Sequence, residues 1–553
     1  MLTPPSSLHT LLGGPHSSTA SASATFQQDG YTLPFERPNI LLVLTDDLGY
    51  TDIGTDIDSN VDTPVLAGLR RDGMHLANGY ATAAQCVPSR AGLLSGRNQN
   101  TFGLWRNGAN AGFGASTLPP RPHVTTIAEH LHGLGGIVTG MAGKWHLGPE
   151  ENPATNPGGR GFDWFFSGTM NQWYSNMRRG AAGGVFKTNL SHTHDKRNRI
   201  DVTGEMAEGF IQTHHAARWF FYWAPYGPHH PMLEDGDHYL ENFKANFKPY
   251  SVYSTTENDA RRRGLALVHA IDTRMGLILN KLRSHSLEEK TLILFSSDNG
   301  APLGASWDSH SQLRRNVWRA PAPLPSMPPK GSEEELRFVR DPSRAYVGSE
   351  NLPLRGDKGS TWEGGIKVPM FIYWKGRIAP AQVMRQTVST LDLAATIAQA
   401  AGMVQPPAEH FDGVSLLPWL LGHPLPSKFH AHLYWHGLLG DTAVQSDGWK
   451  LRRSQETYLF NVSKDPLELH NLAGAHTVGG PEIVARLNVV LDHWLSRLPF
   501  KNPCRDQQCG GSDAKYVRPM QQPCTEQEVD PRFVPAYGQY AGHATCWPAA
   551  IHT

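Results

Sequence analysis

The chain contains no apolar run that approaches the ~20 residues a helix needs to cross a bilayer. It also lacks an excess of charge of either sign: 50 Lys and Arg stand against 50 Asp and Glu, a formal net charge of zero with His neutral. That balance excludes a nucleic-acid binder or a protein held by charge on an anionic membrane, both of which carry a basic excess. Cysteine is scarce. Five occur in 553 residues; Cys86 stands alone, and Cys504, Cys509, Cys524 and Cys546 fall within the last fifty. Residues 1–36 lack the basic start and the apolar stretch of about 7–15 residues that mark a secretory signal peptide. Rich in Ser, Thr, Pro and Gly, they read as a disordered leader.

What is present is enough for a large core. Hydrophobic residues make up 39% of the chain, with 15 Trp, while 55 Gly and 41 Pro mark many turns and loops. This length suits one large domain with a smaller one appended. Four short apolar runs, "NILLVL", "TLILFSS", "GGIVTGMAG" and "WFFYWAP", each bounded by turn signals, read as fully buried parallel strands. Between them lie helical candidates such as "TPVLAGLRRDG", "VTTIAEHLHGLG" and "DARRRGLALVHAIDTRMGLILNKLRSHS". The last places Leu265, Val268, Ile271, Met275 and Ile278 on one face. Alternating strands and helices give an α/β fold with a large, mostly parallel sheet flanked by helices. This domain is expected over residues 37–425. Beyond it, "HAHLYWHG", "TAVQSDGWKLRRS", "ETYLFNVSKDP" and "PEIVARLNVVLDHWLSRL" suggest a smaller α+β domain with an antiparallel sheet over 426–500. A Cys-rich tail follows, 501–553.

Each buried strand ends on residues that can do chemistry, and in parallel sheets such ends converge on one rim. Asp46-Asp47 and Asp298-Asn299 supply three carboxylates and an amide, a hard-oxygen set suited to Ca²⁺ or Mg²⁺ rather than zinc. Either pair alone reads as simple helix capping; two pairs, each directly after a buried strand, favour a metal. Arg90, Lys144, His146, His229 and Lys358 lie in Gly/Pro/Trp-rich loops, "CVPSR", "GKWHLG", "GPHHP" and "LRGDKGSTWEGG". With 27 His in the chain, only this setting singles out two of them. A metal and several cations in one crevice suit a tetrahedral oxyanion, sulfate or phosphate.

The stretch "CVPSRAGLLSGR", residues 86–97, is similar to the signature of the formylglycine-dependent sulfatases of the alkaline phosphatase superfamily: Cys-x-Pro-Ser-Arg, then Leu-[Thr/Ser]-Gly-Arg. "LTDDLGY", "GKWHLG", "APYGPHHP", "SSDNG" and "LRGDKGSTWEGGIKVP" accompany it in the family's order, so the resemblance covers about residues 37–500. Within the family the chain looks most like the arylsulfatase and N-acetylgalactosamine-sulfatase branch. The resemblance implies an alkaline-phosphatase-like sulfatase fold that hydrolyses aryl or carbohydrate sulfates. It implies that Cys86 is converted to formylglycine (3-oxoalanine) by a formylglycine-generating enzyme, and that one hydroxyl of the hydrated aldehyde attacks sulfur while the other later expels sulfate. It further implies that Asp46, Asp47, Asp298 and Asn299 hold Ca²⁺ or Mg²⁺, residue 86 completing the shell. Arg90 and Lys144 would orient the diol, and His146 would take its second proton. Lys358 and His229 would bind sulfate, His229 protonating the departing alcohol; His230 is the neighbouring rival. Ser95 replaces the commoner Thr, and Asp357 stands where relatives commonly carry Gly.

Two rival functions share these motifs: a phosphodiesterase or phosphonate monoester hydrolase of the same superfamily, and a binding-only relative. The intact residue set disfavours the second. The alcohol is expected to be read by loops at 164–195 and 301–350, where Trp164, Trp173, Tyr174 and Trp318 are candidate stacking residues. The four tail cysteines suggest two disulfides, with three possible pairings, and hence an oxidising compartment: secreted, lysosomal, ER-lumenal or periplasmic. Zinc is the rival, but "CRDQQC" is the one close pair. The sequons at Asn189 and Asn461 add weak support for that compartment. Alkylation of the native, unreduced protein followed by peptide mapping should therefore leave all four tail cysteines unlabelled. Recovery of four alkylated thiols would reject both the disulfides and the compartment.

Overall fold

The computed structural model describes residues 36–54, 63–108, 116–149, 152–168, 198–229, 238–246, 259–302, 349–351, 353–403, 411–437, 441–454, 456–474 and 479–499. The leader, most of both expected recognition loops (with Trp173, Tyr174 and Trp318), His230, Asn189 and the cysteine tail lie outside them. No helix among the described residues is long and apolar enough to span a membrane.

Eight strands form the main sheet: β1 (Asn39–Thr45), β2 (Met74–Tyr80), β3 (Ile137–Lys144), β4 (Trp164–Gly168), β5 (Arg218–Ala224), β6 (Thr291–Ser297), β7 (Phe371–Tyr373) and β8 (Gln382–Ser389). Their order is β4-β3-β5-β1-β6-β7-β2-β8. Every pairing is parallel except those of the short β7, which runs against both β6 and β2. β1, β5 and β6 are buried along nearly their whole length, as their unbroken apolar runs require when helices cover both faces.

The pleat divides these strands between two cores. Ile40, Leu42, Leu44, Phe220, Tyr222, Leu292 and Leu294 belong to one. It takes in helices α2 (Cys86–Ser95), α3 (Ile127–Leu134) and α8 (Thr390–Ala401). Leu41, Val43, Trp219, Phe221, Trp223, Ile293 and Phe295 belong to the other. That core is covered by α1 (Pro64–Asp72), α4 (Arg199–His214), α5 (His238–Asn246) and α6 (Asp259–Ser284). Two helices of a single turn, α7 (Glu363–Ile366) and α9 (Leu417–Leu420), complete this part. Glycine permits the tight contact between β3 and β5: Gly143 has φ +117°, and a Cβ there would lie 1.9 Å from the Ala224 carbonyl oxygen.

Trp164 is not a loop residue. It begins β4, at the end of the sheet opposite the strand-end rim, and packs on Phe210 and Phe221 with ring centroids 5.8 and 5.9 Å away. The run "WFFSG" is a parallel edge strand, which removes Trp164 from the candidates for stacking on substrate.

A second sheet of antiparallel strands follows: β9 (Leu433–His436), β10 (Thr442–Ser446), β11 (Trp449–Arg453) and β12 (Thr457–Asn461), in the order β12-β11-β10-β9. Asp447 and Gly448 both adopt positive φ, 51° and 77°, the two-residue turn that matches strand twist. Helix α10 (Gly480–Ser496) lays Leu487, Leu491 and Trp494 on Val444, Leu451 and Leu459. The two sheets are joined by a buried charge cluster. Lys450 Nζ lies 2.9 Å from Glu363 Oε1 and 3.0 Å from Glu468 Oε1, all three side chains fully buried. Tyr80 Oη donates to the other oxygen of Glu363 at 2.8 Å. Replacing Lys450 with Met should cost about 3–5 kcal/mol, because it leaves two buried carboxylates without their cation. Thermal and urea unfolding of the variant measure that loss; wild-type stability would show the cluster to be energetically idle.

Candidate active site

The rim formed by the carboxyl ends of the parallel strands gathers the residues that the sequence singled out. Asp46 and Asp47 follow β1, Asp298 and Asn299 follow β6, Lys144 ends β3 with His146 just beyond, and His229 lies past the end of β5. Backbone hydrogen bonds extend the strand pairing into these loops. Asp46 N donates to Gly227 O (3.1 Å), His229 N to Asp46 O (3.1 Å) and Asp298 N to Thr45 O (3.1 Å). Cys86 is the first residue of α2, so it sits at the positive end of a helix. Asn107 Oδ1 accepts from the next amide, Val87 N, at 3.0 Å.

The side chains interlock as acid–cation pairs. Lys144 Nζ donates to both oxygens of Asp46, at 2.8 and 2.7 Å. Lys358 Nζ does the same to Asp47, at 2.7 and 2.8 Å. Arg90 directs Nε (2.9 Å) and Nη2 (2.7 Å) at Asp298 Oδ2, while its Nη1 donates to Lys144 O and Tyr222 Oη. Asp298 Oδ1 accepts from Asp47 N at 3.2 Å. The Cys86 thiol donates to Asp46 Oδ1 at 3.8 Å, and His229 Nε2 lies 3.5 Å from Asp47 Oδ2. Two non-glycine residues of the site, Asp47 (φ 64°) and His146 (φ 57°), are held in the left-handed region, a local strain that the surrounding contacts must sustain.

Burial and these charges set the protonation states. Burial pushes the Asp46 carboxyl up, yet Lys144, Arg90 and Lys358 prevail and hold it below its usual value. Asp47 is raised to about 6 by burial, opposed by Lys358 and reinforced by Asp46 and Asp298. Burial, then the positive charges of Lys144, Arg90 and Lys358, keep His146 well below the usual imidazole value, so it is neutral. Burial works most strongly against the Lys358 ammonium, but the surrounding negative charges, Asp47 first and then Asp46 and Asp298, together outweigh it and keep that group charged. Burial pushes the Cys86 thiol up to about 12 despite Lys144 and Lys358 nearby. At neutral pH such a sulfur is almost wholly protonated and a poor nucleophile.

The donor set fits a hard divalent cation. Ligand atoms of Asp46, Asp47, Cys86 and His229 all lie within 4.8 Å of one another. Asn299 donates through Nδ2 to Asp47 Oδ1 at 2.6 Å, and its buried Oδ1 has no hydrogen-bond partner. An orphaned amide oxygen beside three carboxylates is the environment a Ca²⁺ or Mg²⁺ ion would satisfy.

Two supporting residues carry no motif. Tyr222, on β5, braces Arg90 through its hydroxyl at 3.2 Å. Asn351 accepts from Ala301 N (2.7 Å) and donates to Ala301 O (2.7 Å) and Gly356 O (3.1 Å). It thereby ties the Lys358 loop to the end of β6. A lone Asn or Tyr has no spacing to betray it in sequence.

A parallel sheet whose rim concentrates acids, cations and one buried cysteine at a helix start defines a hydrolase of oxyanion esters. The chain belongs to the sulfatase family: the Sulfatase family model matches residues 38–403, most of the chain. A second model, N-sulphoglucosamine sulphohydrolase, C-terminal, matches 356–494. N-acetylgalactosamine-6-sulfatase of Canis lupus familiaris is 29% identical over 71% of this chain and 68% of its own length. Steryl-sulfatase of Mus musculus is 30% identical over 72% of this chain and 67% of its own. The chain thus spans about two thirds of these relatives. The crystal structure of Ps i-CgsB superposes with a TM-score of 0.65 at 24% identity, covering 84% of this chain and 94% of that one, which shows the shared fold. The protein is a sulfuric ester hydrolase.

Asn351→Ala should lower kcat/KM for an aryl sulfate and cost about 1–3 kcal/mol of stability, since it frees buried partners at Ala301 and Gly356. Unfolding and steady-state kinetics check both. Wild-type kinetics would show that the Lys358 loop needs no such tether.

Proposed function

We propose that the protein hydrolyses aryl or carbohydrate sulfate esters with residue 86 acting as formylglycine rather than cysteine, beside a Ca²⁺ or Mg²⁺ ion held by Asp46, Asp47, Asp298, Asn299 and residue 86. The observation that carries this reading is the setting of Cys86. It lies at the focus of three carboxylates, Arg90, Lys144 and Lys358, yet burial leaves its thiol un-ionised. A formylglycine hydrate would supply an oxygen nucleophile that can be regenerated, and the cation would polarise the ester and stabilise negative charge.

The chain's own residues take the remaining work. Arg90 and Lys144 fix residue 86 and the acids around it. His146, neutral with an unpartnered buried Nδ1, can accept a proton from residue 86. Lys358 binds the sulfate oxygens, and His229 gives a proton to the departing alcohol oxygen. The four tail cysteines support maturation in an oxidising compartment, secreted, lysosomal or periplasmic, where a formylglycine-generating enzyme acts on Cys86.

Peptide mass analysis should find residue 86 as the aldehyde in active protein, and Cys86→Ala should lower 4-nitrophenyl sulfate turnover by several orders of magnitude while the fold survives. Chelation should abolish turnover, with Ca²⁺ or Mg²⁺ restoring it better than Zn²⁺. An unmodified thiol in fully active protein, or near wild-type turnover by the Ala variant, overturns the reading.

A further inference from the structure

Arg199 is a buried cation that forms no ion pair among the described residues. It opens α4 and is only 7% exposed. Its guanidinium lies 4.7 Å over the ring of Tyr226, in the loop that leads from β5 to His229. Nη1 is buried and meets no hydrogen-bond acceptor among the described residues. Asp201, two residues further along α4, is committed elsewhere: its Oδ1 accepts from Tyr239 Oη at 2.6 Å and from Arg274 Nε. Asp46, whose charge reaches Arg199, is held by Lys144 and Arg90.

Little in the structure offsets the burial of a cation here. The first turn of a helix presents the positive end of its dipole, which favours anions. Burial of an ionised group without a partner is expensive and drives its pKa down, and burial lowers that of Arg199 to about 10. The Tyr226 ring offers only partial compensation. The scissile sulfate already has cations of its own: Arg90, Lys144 and Lys358 contact the acids of the site directly, and Arg199 contacts none of them. A desolvated guanidinium near Asp46, its Nη1 without an acceptor among the described residues, is matched by an anionic oxygen group that arrives with a ligand.

We propose that Arg199 is a specificity-determining residue that binds a second anionic group of the substrate, a sulfate or a carboxylate, so that polyanionic saccharide sulfates are bound in preference to singly charged esters. The proposal rests on the reading of the site given under Proposed function.

Calorimetry on the full chain carrying Cys86→Ala, which prevents turnover, tests it with three probes. N-acetylgalactosamine 6-sulfate offers one anion. N-acetylgalactosamine 4,6-disulfate adds a sulfate, and a disaccharide of glucuronate and N-acetylgalactosamine 6-sulfate adds a carboxylate. At least one doubly charged probe should bind about tenfold more tightly than the singly charged one, the increment of one good charge-assisted contact, and which one identifies the second group. Adding Arg199→Met should bring that ratio close to one without lowering the melting temperature, and Arg199→Lys should retain part of it. Absence of binding, absence of a preference, a preference that survives Arg199→Met, or a Met variant that melts earlier than its parent each overturns the proposal. Turnover and the mass at residue 86 do not enter these affinities, so the hydrolytic reading and this one fail separately.

Discussion

The site exists because three buried carboxylates and three cations neutralise one another. Asp46, Asp47 and Asp298 would each be costly to ionise in the interior alone; paired with Lys144, Lys358 and Arg90 they form a compact, nearly neutral cluster. The six are spread along the chain from Asp46 to Lys358. The sheet order brings Asp46, Asp47, Lys144 and Asp298 together, because β3, β5, β1 and β6 are consecutive neighbours and all point the same way, while α2 and the loop before α7 deliver Arg90 and Lys358. A strand inserted among these four would separate the charges and leave each with its full burial penalty. Topology and electrostatics are therefore one constraint.

The same logic extends to the smaller sheet. The segment that carries Lys358 also carries Arg355 and Glu363. Arg355 Nη1 donates to Glu468 O at 3.0 Å, Glu363 N donates to Glu468 Oε2 at 2.8 Å, and Lys450 bridges both glutamates. Arg355 and Arg452 both stack on Trp362, at 3.9 and 4.1 Å. The loop of Lys358 is thus anchored from two sides, by Asn351 toward the strand-end rim and by the antiparallel sheet behind it.

The central strands were readable because a strand buried on both faces needs an unbroken apolar run, and "NILLVL", "TLILFSS" and "WFFYWAP" have one. The other strands hid for physical reasons. β2 reads "MHLANGY", with His and Asn at half-buried positions; β8 reads "QVMRQTVS" because it is the exposed edge; β7 has three residues, too few for any period. The catalytic candidates were legible as motifs that follow strands. Tyr222 and Asn351 were not, since each acts through one contact that only the folded chain creates. Trp164 misled for the opposite reason: an aromatic run set between Gly161 and Gly168 looks like a loop until pairing with β3 shows it to be a strand. Arg199 left no mark in the sequence at all. Its meaning lies in what it fails to touch.

Helix α2 is buried at every one of its ten residues, and Cys86 at its first position is 1% exposed. A side chain so enclosed is out of reach of any second protein once the core has closed. If an enzyme oxidises Cys86, it has to do so on the nascent chain, in competition with folding itself. A molecule that folded first would then stay in the thiol form, its Cys86 sealed beneath the rest of the core. The specific activity of a preparation would then record a race between two rates during synthesis, and extra stability gained by early folding would lower the yield of active enzyme.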